Sequence, residues 1–310
     1  MGPERTLVVV RPGALTLVED EGRQGHAHLA VPRSGALDRG ALAEANRLVG
    51  NEAGRPGLET TLTGVALRAT AAVVVAVTGA PAPVTVDGRT VAMAEQVAVG
   101  AGSVLAVGAA RTGLRSYVAV DGGIALEPVL GSCSTDVLSG LGPPPLRAGD
   151  VLPLGAPHGV LATQATGRIP DRGRPSGPLL LSVRPGPRDD WFTAAALTTL
   201  VSRPYLVGRH SNRIALRLEG PTLRRAVNTE LPSEGLVLGS VQVPADGQPL
   251  VFLADHPTTG GYPVIAVVDH MDVDGCAQVR PGDEVRFRWA APTTETAAGP
   301  ARPTRYGAAP

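Results

Sequence analysis

The chain has 310 residues, a formal net charge of +0 at pH 7 and 43% hydrophobic residues, which is typical of a globular protein large enough for two domains. It shows no basic stripe that would indicate a nucleic-acid partner, and its longest apolar run, Ala71–Val77, is far too short to cross a bilayer. The N-terminus has no signal-peptide layout and the cysteines are two, Cys133 and Cys276, so we expect a cytoplasmic protein with reduced thiols.

Strand signals dominate the first half of the chain, and a single helix interrupts them. The helix is predicted to begin after Asp38, a typical N-cap residue, and to end before Gly50. Farther along, Val84–Met93 is typical of a hairpin, because Asp87 and Gly88 can supply the two positive φ angles of a type I′ turn.

The second half repeats this pattern of many strands and one helix. A helix of roughly three turns is predicted after Asp189 or Asp190. The remaining apolar runs are short, and turn residues separate them at the spacing of a sandwich or barrel. The sequence therefore predicts an all-β protein, mainly β with a few short helices.

A weak internal repeat indicates two related β domains. The segments "LRAGDVLPL" (Leu146–Leu154) and "VRPGDEVRF" (Val279–Phe287) share an Arg, a turn, a Gly-Asp pair and an alternating strand, and "VRPG" precedes each of them. The predicted division is an N-terminal β domain with a helical insert at 1–160, a linker at 161–178, a C-terminal β domain at 179–291 and a disordered tail at 292–310.

The stretch "LADHPTTGGYP" concentrates polar chemistry between two apolar runs. Asp255-His256 and Asp269-His270 could converge on a metal if their strands paired, but "DHMDVDG" fails as an EF-hand because Met271 stands where an oxygen ligand belongs. No HExxH or CxxC pattern is present either. We therefore predict no metal site and interpret the stretch as a pocket loop.

Anion binding is the chemistry that the residues support best. "DGGI", "GSCST" and "PTTGGYP" each combine glycine with exposed N–H groups, and consecutive backbone amides in such turns bind anions. Arg23 and Arg213 could grip a carboxylate or phosphate with two nitrogens each. Cys133 has no His paired with it in the sequence, so we interpret it as a small buried residue.

All 28 basic residues are arginine, and this excludes several kinds of chemistry. Without lysine the chain cannot form a Schiff base, cannot carry covalent biotin, and has no P-loop lysine. ATP or biotin chemistry would need a different kind of site or another chain.

Nine segments occur here in the order seen in one protein family. Among them are "VPRSGALD", "SYVAVDGGI", "GSCSTD" and the long block "SEGLVLGSVQVPADGQPLVFLADHPTTGGYPVIAVV". Over Leu7–Trp289 the chain resembles the KipA-like family, whose members are also called the C component of 5-oxoprolinase, allophanate hydrolase subunit 2 or the biotin-dependent carboxyltransferase A/B subdomain. The resemblance implies two tandem cyclophilin-like β barrels.

The resemblance also implies a function within a complex. It predicts a subunit of an ATP-dependent 5-oxoprolinase, a hydrolase that opens 5-oxo-L-proline to L-glutamate, with Mg-ATP as co-substrate. The implied partners are a KipI-like protein, which is the B component of that enzyme, and a LamB/YcsF-type protein, which is its A component. Two alternatives stay open: a carboxyltransferase component that acts with a separate biotin carrier on urea or a related amide, and a regulator that binds a KipI-like kinase inhibitor.

Positions that match the family supply the candidate site residues. Glu234 or Asp255 could act as a base and Gln242 could hydrogen-bond a substrate amide. Asp38 could equally be an N-cap, Asn46 a brace and Gly260-Gly261 a backbone requirement. The residues assigned to substrate or anion binding are Arg23, Ser34, Asp38, Asn46, Arg213, Ser233, Thr258, Thr259, Gly260, Gly261 and Tyr262.

The chain departs from the family pattern in the first half. Glu19 stands where the family has Gln, and Cys133 replaces an Arg. A second family Arg is missing from the segment that follows. The loss of two guanidinium groups from neighbouring loops predicts weaker anion binding there.

Overall fold

The structure is a computed structural model and describes residues 5–157 and 177–291. The predicted tail at 292–310 and residues 161–176 of the predicted linker lie outside the described residues. Within the described ranges the chain forms twenty strands and only three short α-helices, so the prediction of a mainly β protein is confirmed. No helix there is long and apolar enough to cross a membrane.

Residues 5–157 form two antiparallel sheets and one α-helix. The six-stranded sheet has the order β11-β1-β4-β9-β6-β7, and the five-stranded sheet has the order β2-β3-β10-β5-β8. The elements are β1 Thr6–Arg11, β2 Leu15–Glu19, α1 Arg39–Leu48, β3 Gly57–Thr61, β4 Ala66–Ala69, β5 Val73–Gly79, β6 Val84–Val86, β7 Arg89–Val91, β8 Val97–Val99, β9 Val104–Val107, β10 Arg115–Val120 and β11 Val151–Pro153, with a 3-10 turn at Ala27–Leu29.

Residues 177–291 form a closed barrel of seven strands in the order β12-β19-β16-β17-β14-β13-β20. Two further strands, β15 and β18, form a separate two-stranded ribbon. The elements are β12 Leu179–Pro185, α2 Ala194–Ser202, β13 Tyr205–Val207, β14 Ala215–Glu219, β15 Glu234–Gly235, β16 Ser240–Gln242, β17 Leu250–Phe252, β18 Thr259–Gly260, β19 Val264–Val268, α3 His270–Val273 and β20 Glu284–Trp289, with 3-10 turns at Asp189–Trp191 and Asp274–Ala277.

The burial pattern explains why the strands pair as they do. In β12, Leu179, Leu181 and Val183 are buried while Leu180 is exposed, so alternate side chains face the barrel interior. In contrast, every residue of β10 is buried, because β10 is a central strand and α1 covers its outer face with Ala45.

Local predictions had mixed outcomes. The N-cap role of Asp38 is confirmed, since its side chain accepts a hydrogen bond from the Ala41 N–H at 2.9 Å. The hairpin at Val84–Met93 is confirmed, with Asp87 at φ 50° between β6 and β7. The predicted start of the second helix was wrong: α2 begins after Thr193, which caps it, because the Asp189–Trp191 segment forms a 3-10 turn of its own.

The Gly-Asp repeat corresponds to one turn used twice. Asp150 accepts the backbone N–H of Arg147 at 2.7 Å, and Asp283 accepts that of Arg280 at 2.9 Å. Each turn leads into the last strand of its half, β11 or β20. The two-domain division at the predicted boundaries stays a prediction, although the sheets and the barrel fall on either side of the predicted linker.

Candidate functional site

The two halves meet around residues 34–38, which join β2 to α1. The Ser34 N–H donates to the carbonyl of Ala254 at 3.1 Å, and the Leu37 side chain packs in the core of the barrel. Gln278 fastens the same junction, because its Nε2 donates to Asp38 Oδ2 at 3.1 Å and its Oε1 accepts the Leu114 N–H at 3.0 Å. Asp38 therefore caps α1 and ties the helix to the barrel.

Arg213 lies at the centre of this junction and is 2% exposed. Its Nε and Nη2 donate to both oxygens of Asp255, at 2.9 and 3.2 Å, and its Nη1 donates to Glu59 at 2.6 Å. Nη2 lies 3.2 Å from Glu19 and also donates to the Gly35 carbonyl at 2.7 Å. The guanidinium that we predicted to grip a ligand thus grips carboxylates of its own chain, on both sides of the junction.

Glu59 connects Arg213 to further buried polar groups. Its Oε1 lies 3.2 Å from Arg115 Nε, and its Oε2 accepts from the Leu37 N–H at 2.9 Å and from the Tyr117 hydroxyl at 2.8 Å. We call the buried set of Glu19, Glu59, Arg115, Arg213 and Asp255 the Arg213 cluster. Sequence reasoning missed Glu59, Arg115 and Tyr117, because nothing in their local sequence marks them as partners.

The pKa values of Glu19 and Glu59 are shifted in opposite directions. Burial raises the pKa of Glu19 well above its ordinary value, and Glu59 and Asp255 add to the rise, while Arg213 opposes it. Burial alone would also raise the pKa of Glu59, but the charges of Arg213 and Arg115 outweigh it and lower that pKa. The raised pKa favours the neutral form of Glu19, which would leave the guanidinium groups of Arg115 and Arg213 facing the carboxyls of Glu59 and Asp255.

The predicted anion turn "GSCST" is filled from within the chain. One oxygen of Asp20 accepts from the hydroxyls of Ser132 and Ser134, both at 2.6 Å, and the other accepts from the Cys133 N–H at 2.6 Å. Arg23 braces the same loop, since its Nε donates to the Val129 carbonyl at 3.1 Å. These groups hold the loop together, and Nη1 of Arg23 is buried beside it without a hydrogen-bond partner among the described residues.

Both thiols are free and buried. Burial raises the pKa of Cys133, and it raises the pKa of Cys276 to about 12. Neither thiol is therefore an activated nucleophile at neutral pH. Within the described residues no group of three or more His, Cys, Asp or Glu side chains could hold a metal ion.

Asn46 lies on α1 and braces the loop that follows it. Its Nδ2 donates to the carbonyls of Ala53 and Arg55, at 3.2 and 2.8 Å, and its Oδ1 accepts from Asn51. Since all these partners belong to the chain, the geometry favours the bracing role that we weighed for Asn46.

An open cleft of about 400 Å³ lies beside the junction, between α1 and α3. Arg33 and Arg39 both line it, but Arg39 is engaged with Asp274 at 3.2 Å. The Asp274 carboxylate also accepts a hydrogen bond from the Gly40 N–H at 3.2 Å, so it lies against the first turn of α1. Arg33 Nε donates to the Glu21 carbonyl at 3.2 Å, and no carboxylate among the described residues lies within ion-pair distance of Arg33. Asp20 and Glu21 also line the cleft, and of its two guanidinium groups that of Arg33 is the better placed to receive an anion.

The remaining candidate residues gather on the β15–β18 ribbon and around it. Glu234 pairs with Gly260 across the ribbon and forms a two-point ion pair with Arg188, whose Nε donates at 3.0 Å. Gln242 is buried beneath, and its Nε2 donates to the Tyr262 carbonyl at 2.8 Å. Ser233, Thr259, Gly261 and Tyr262 are exposed, and Thr258 is half-buried.

The structure therefore divides the predicted site residues between two places. Ser34, Asp38, Arg213 and Asp255 meet at the junction. Glu234, Gln242 and the Thr-Thr-Gly-Gly-Tyr segment form the ribbon surface. Arg23 and Asn46 brace loops of the first half.

Two glycines of the ribbon, Gly260 and Gly235, differ in how tightly their surroundings are packed. A Cβ at position 260 would lie 2.9 Å from Gln242 Nε2 and 2.9 Å from Leu236 Cδ1, whereas a Cβ at Gly235, on the opposite strand, would meet nothing within 4 Å. We expect Gly260→Ala to lower the free energy of unfolding by about 1 kcal/mol, because Gln242 must give up its bond to Tyr262. Gly235→Ala should change it by less than about 0.5 kcal/mol in the same urea titration. Equal values for the two variants would contradict the packing described here.

Comparison with known proteins identifies the family. The family model described as carboxyltransferase domain, subdomain A and B, matches residues 29–289. The chain belongs to this family. The matched range begins before the junction segment and ends with β20, so it includes the Arg213 cluster residues Glu59, Arg115, Arg213 and Asp255 and the whole ribbon.

The relatives of this carboxyltransferase-domain chain include components of two enzymes, 5-oxoprolinase and urea amidolyase. It is 37% identical to the C component of the Escherichia coli 5-oxoprolinase, over 91% of this chain and 90% of the relative. The crystal structure of the Kluyveromyces lactis urea amidolyase superposes with a TM-score of 0.83 at 28% identity, covering 94% of this chain and 19% of the enzyme. The crystal structure of TTHA0988 superposes with a TM-score of 0.80 at 38% identity, and this chain spans 56% of it.

Proposed function

We propose that this chain is a subunit of an ATP-dependent 5-oxoprolinase, which opens 5-oxo-L-proline to L-glutamate. The observation that carries the proposal is the share of each relative that this chain covers. It aligns with 90% of a 5-oxoprolinase component, but with only 19% of a urea amidolyase. The relative of which this chain covers nine-tenths is a better guide to its function than an enzyme of which it covers a small part. The relative is named as one of several subunits, which supports a complex, and for the other members we propose a KipI-like and a LamB/YcsF-type protein.

The cleft beside the junction suits the proposed substrate. 5-Oxoproline carries a carboxylate, which needs a cation, and a lactam, which needs hydrogen-bonding groups. Arg33 lines the cleft and is available for the carboxylate, and a volume of about 400 Å³ exceeds what this small molecule requires. The Arg213 cluster lies behind this surface and would hold the two halves of the cleft in register.

Opening a lactam requires activation of an unreactive carbonyl group. Phosphorylation of the carbonyl oxygen by ATP supplies this activation, after which water can attack. We propose that ATP and Mg²⁺ act as co-substrates of the complex, since this chain has no lysine for a P-loop. The residues of this chain then bind and orient the lactam and stabilise the charge that develops.

Reconstitution tests the proposed function. The chain is co-expressed with its KipI-like and LamB/YcsF-like partners, and glutamate and ADP are measured after addition of 5-oxo-L-proline and Mg-ATP. We expect both products from the complete complex and neither from a preparation that omits this chain. A complex that assembles fully but releases no glutamate would contradict the proposal.

A carboxyltransferase role is the second candidate, and the family description and the urea amidolyase structures favour it. Because the chain contains no lysine, biotin would have to arrive on a carrier protein. Transfer of a labelled carboxyl group from such a carrier to urea, with no turnover of 5-oxoproline, would support this candidate instead.

A further inference from the structure

Ser34 is held in an unusual conformation at the junction. Its φ of 54° lies in the left-handed region, which residues other than glycine rarely adopt, and the next residue, Gly35, has a φ of 92°. The side chain is 5% exposed, and its Oγ has no hydrogen-bond partner among the described residues. A strained backbone and an unpaired buried hydroxyl both weaken the fold, and such features are concentrated at functional sites.

His256 faces the same point from the barrel. Its Nδ1 lies 2.7 Å from the Pro257 carbonyl, which can only accept, so Nδ1 carries the proton of a neutral ring and Nε2 has a free lone pair. Burial lowers the pKa of His256, and the charges of Asp255 and Asp136 oppose this effect only in part. The imidazole is therefore neutral and able to accept a proton at pH 7.

Ser34 and His256 line one small cavity, together with Arg33, Arg39 and five apolar residues. Its volume is about 20 Å³, which is enough for one water molecule but far too little for a lactam ring. Arg33, Ala36 and Arg39 line both this cavity and the larger cleft, so the cavity lies directly beside the cleft. The cavity can therefore hold a water molecule but not the substrate, and the larger cleft can hold the substrate.

We propose that Ser34 Oγ and His256 Nε2 hold the hydrolytic water in this cavity, and that His256 is the base that deprotonates it. This inference rests on the proposed function, because it assumes an amide-like substrate in the neighbouring cleft. It assigns to His256 the role of base that sequence reasoning gave to Glu234 or Asp255. Both oxygens of Asp255 are already engaged by Arg213, and Glu234 is engaged by Arg188.

Hydrolysis of an amide at this site balances in atoms and protons. On the lactam that ATP has O-phosphorylated, the water oxygen bonds to the carbon that bears the phosphoryl group, and one water proton passes to Nε2 of His256 and then to the ring nitrogen. The carbon–nitrogen bond breaks, the remaining hydroxyl proton moves to the nitrogen, and the proton released in the phosphorylation step completes the ammonium group. The product is an acyl phosphate, and a second water releases inorganic phosphate from it and leaves the carboxylate. Ser34 neither gains nor loses a proton overall and orients the water.

Activity of the assembled complex provides the first test. His256→Asn keeps a side-chain N–H that can donate to the Pro257 carbonyl but removes the base, and we expect kcat to fall about 100-fold or more with little change in KM. In the His256→Asn variant, the fall of kcat/KM at acid pH, which reports protonation of the imidazole in the free enzyme, should disappear. Ser34→Gly removes the hydroxyl and suits the left-handed backbone, so it should fold well and yet lower kcat.

The matched control is His210→Asn, because His210 is exposed in the loop between β13 and β14. This variant should retain full activity and the full acid limb. If His256→Asn assembles normally and keeps both kcat and the acid limb, the proposal is wrong.

A second readout does not depend on turnover. Nitrogen-15 NMR of the full chain, labelled at histidine, should show His256 as the neutral Nδ1–H form at pH 7, and Ser34→Gly should shift its Nε2 resonance and its titration. An unchanged Nε2 resonance in Ser34→Gly would overturn the proposal even in an active complex. If Ser34→Gly shifts the Nε2 resonance of His256 in a protein whose complex does not turn over 5-oxoproline, the water site is supported and the proposed substrate is rejected.

Discussion

Replacing Arg213 with methionine is expected to lower the free energy of unfolding by about 3–5 kcal/mol, the largest loss that we expect from any single substitution at the junction. The guanidinium is 2% exposed and contacts Glu19, Glu59 and Asp255. Its removal leaves Glu59 and Asp255 buried with less compensating charge, and removing one partner from a buried ionic group exposes the full desolvation cost of the others. Methionine approximately preserves the apolar volume, so lost packing makes only a small contribution.

Guanidinium chloride unfolding of the full chain measures this loss. Arg217→Met is the matched control, since Arg217 lies on the exposed face of β14, only four positions away. We expect the control to change the free energy of unfolding by less than about 0.5 kcal/mol. Comparable losses from the two substitutions would show that the Arg213 cluster does not stabilise the junction.

Glutamine substitutions of Glu19 and Glu59 are expected to have opposite effects at neutral pH. The folded protein holds the pKa of Glu19 well above its unfolded value, chiefly through burial. As the pH rises past the unfolded pKa, the unfolded chain releases this proton while the folded chain retains it, so stability falls with pH across that window. Glu19→Gln removes the ionisation, and the variant should be more stable than the wild type at pH 7.

Glu59 behaves in the reverse sense, because Arg213 and Arg115 lower its pKa despite burial. Its contribution to stability is fully present above the unfolded pKa and is lost as the pH falls through the lower folded pKa. Glu59→Gln should therefore lower the free energy of unfolding by about 3 kcal/mol at pH 7, and the difference from the wild type should shrink under acid conditions.

Both effects are measured by urea unfolding of the three proteins between pH 3 and pH 8. The two variants serve as controls for each other, since each replaces one carboxyl oxygen by an amide NH2 group next to the same guanidinium. If both variants lose stability equally at pH 7, Glu19 carries a charge in the folded protein and the balance inferred for the cluster is wrong.

The raised pKa of Glu19 also explains how this chain can depart from the family pattern at that position. The resemblance places Gln where this chain has Glu19. A protonated carboxyl is neutral, and like the amide it can both donate and accept a hydrogen bond. The raised pKa therefore allows Glu19 to occupy a position where the family has a neutral side chain.

The sequence by itself determined the features that depend on neighbouring residues. Alternating apolar runs predicted the strands, Asp38 predicted the start of α1, and Asp87-Gly88 predicted a hairpin, because each signal acts within a few residues of backbone. The order of family segments also indicated the family, which the match over residues 29–289 confirms.

Only the tertiary structure decided which polar residues face a cleft and which bind one another. Asp20 follows β2 and fills a turn more than 100 positions away, and Glu59 and Arg213, 154 positions apart, meet at 2.6 Å. Ser34 and His256 likewise come to one cavity from opposite halves of the chain. Long-range contacts of this kind arise when sheets and barrel pack together, and the local sequence around either partner contains no record of the other. The sequence identified Arg213 and Asp255 as candidate site residues, and the structure shows them buried and bound to each other at the junction of the two halves. Arg33, which the sequence did not single out, lines the open cleft.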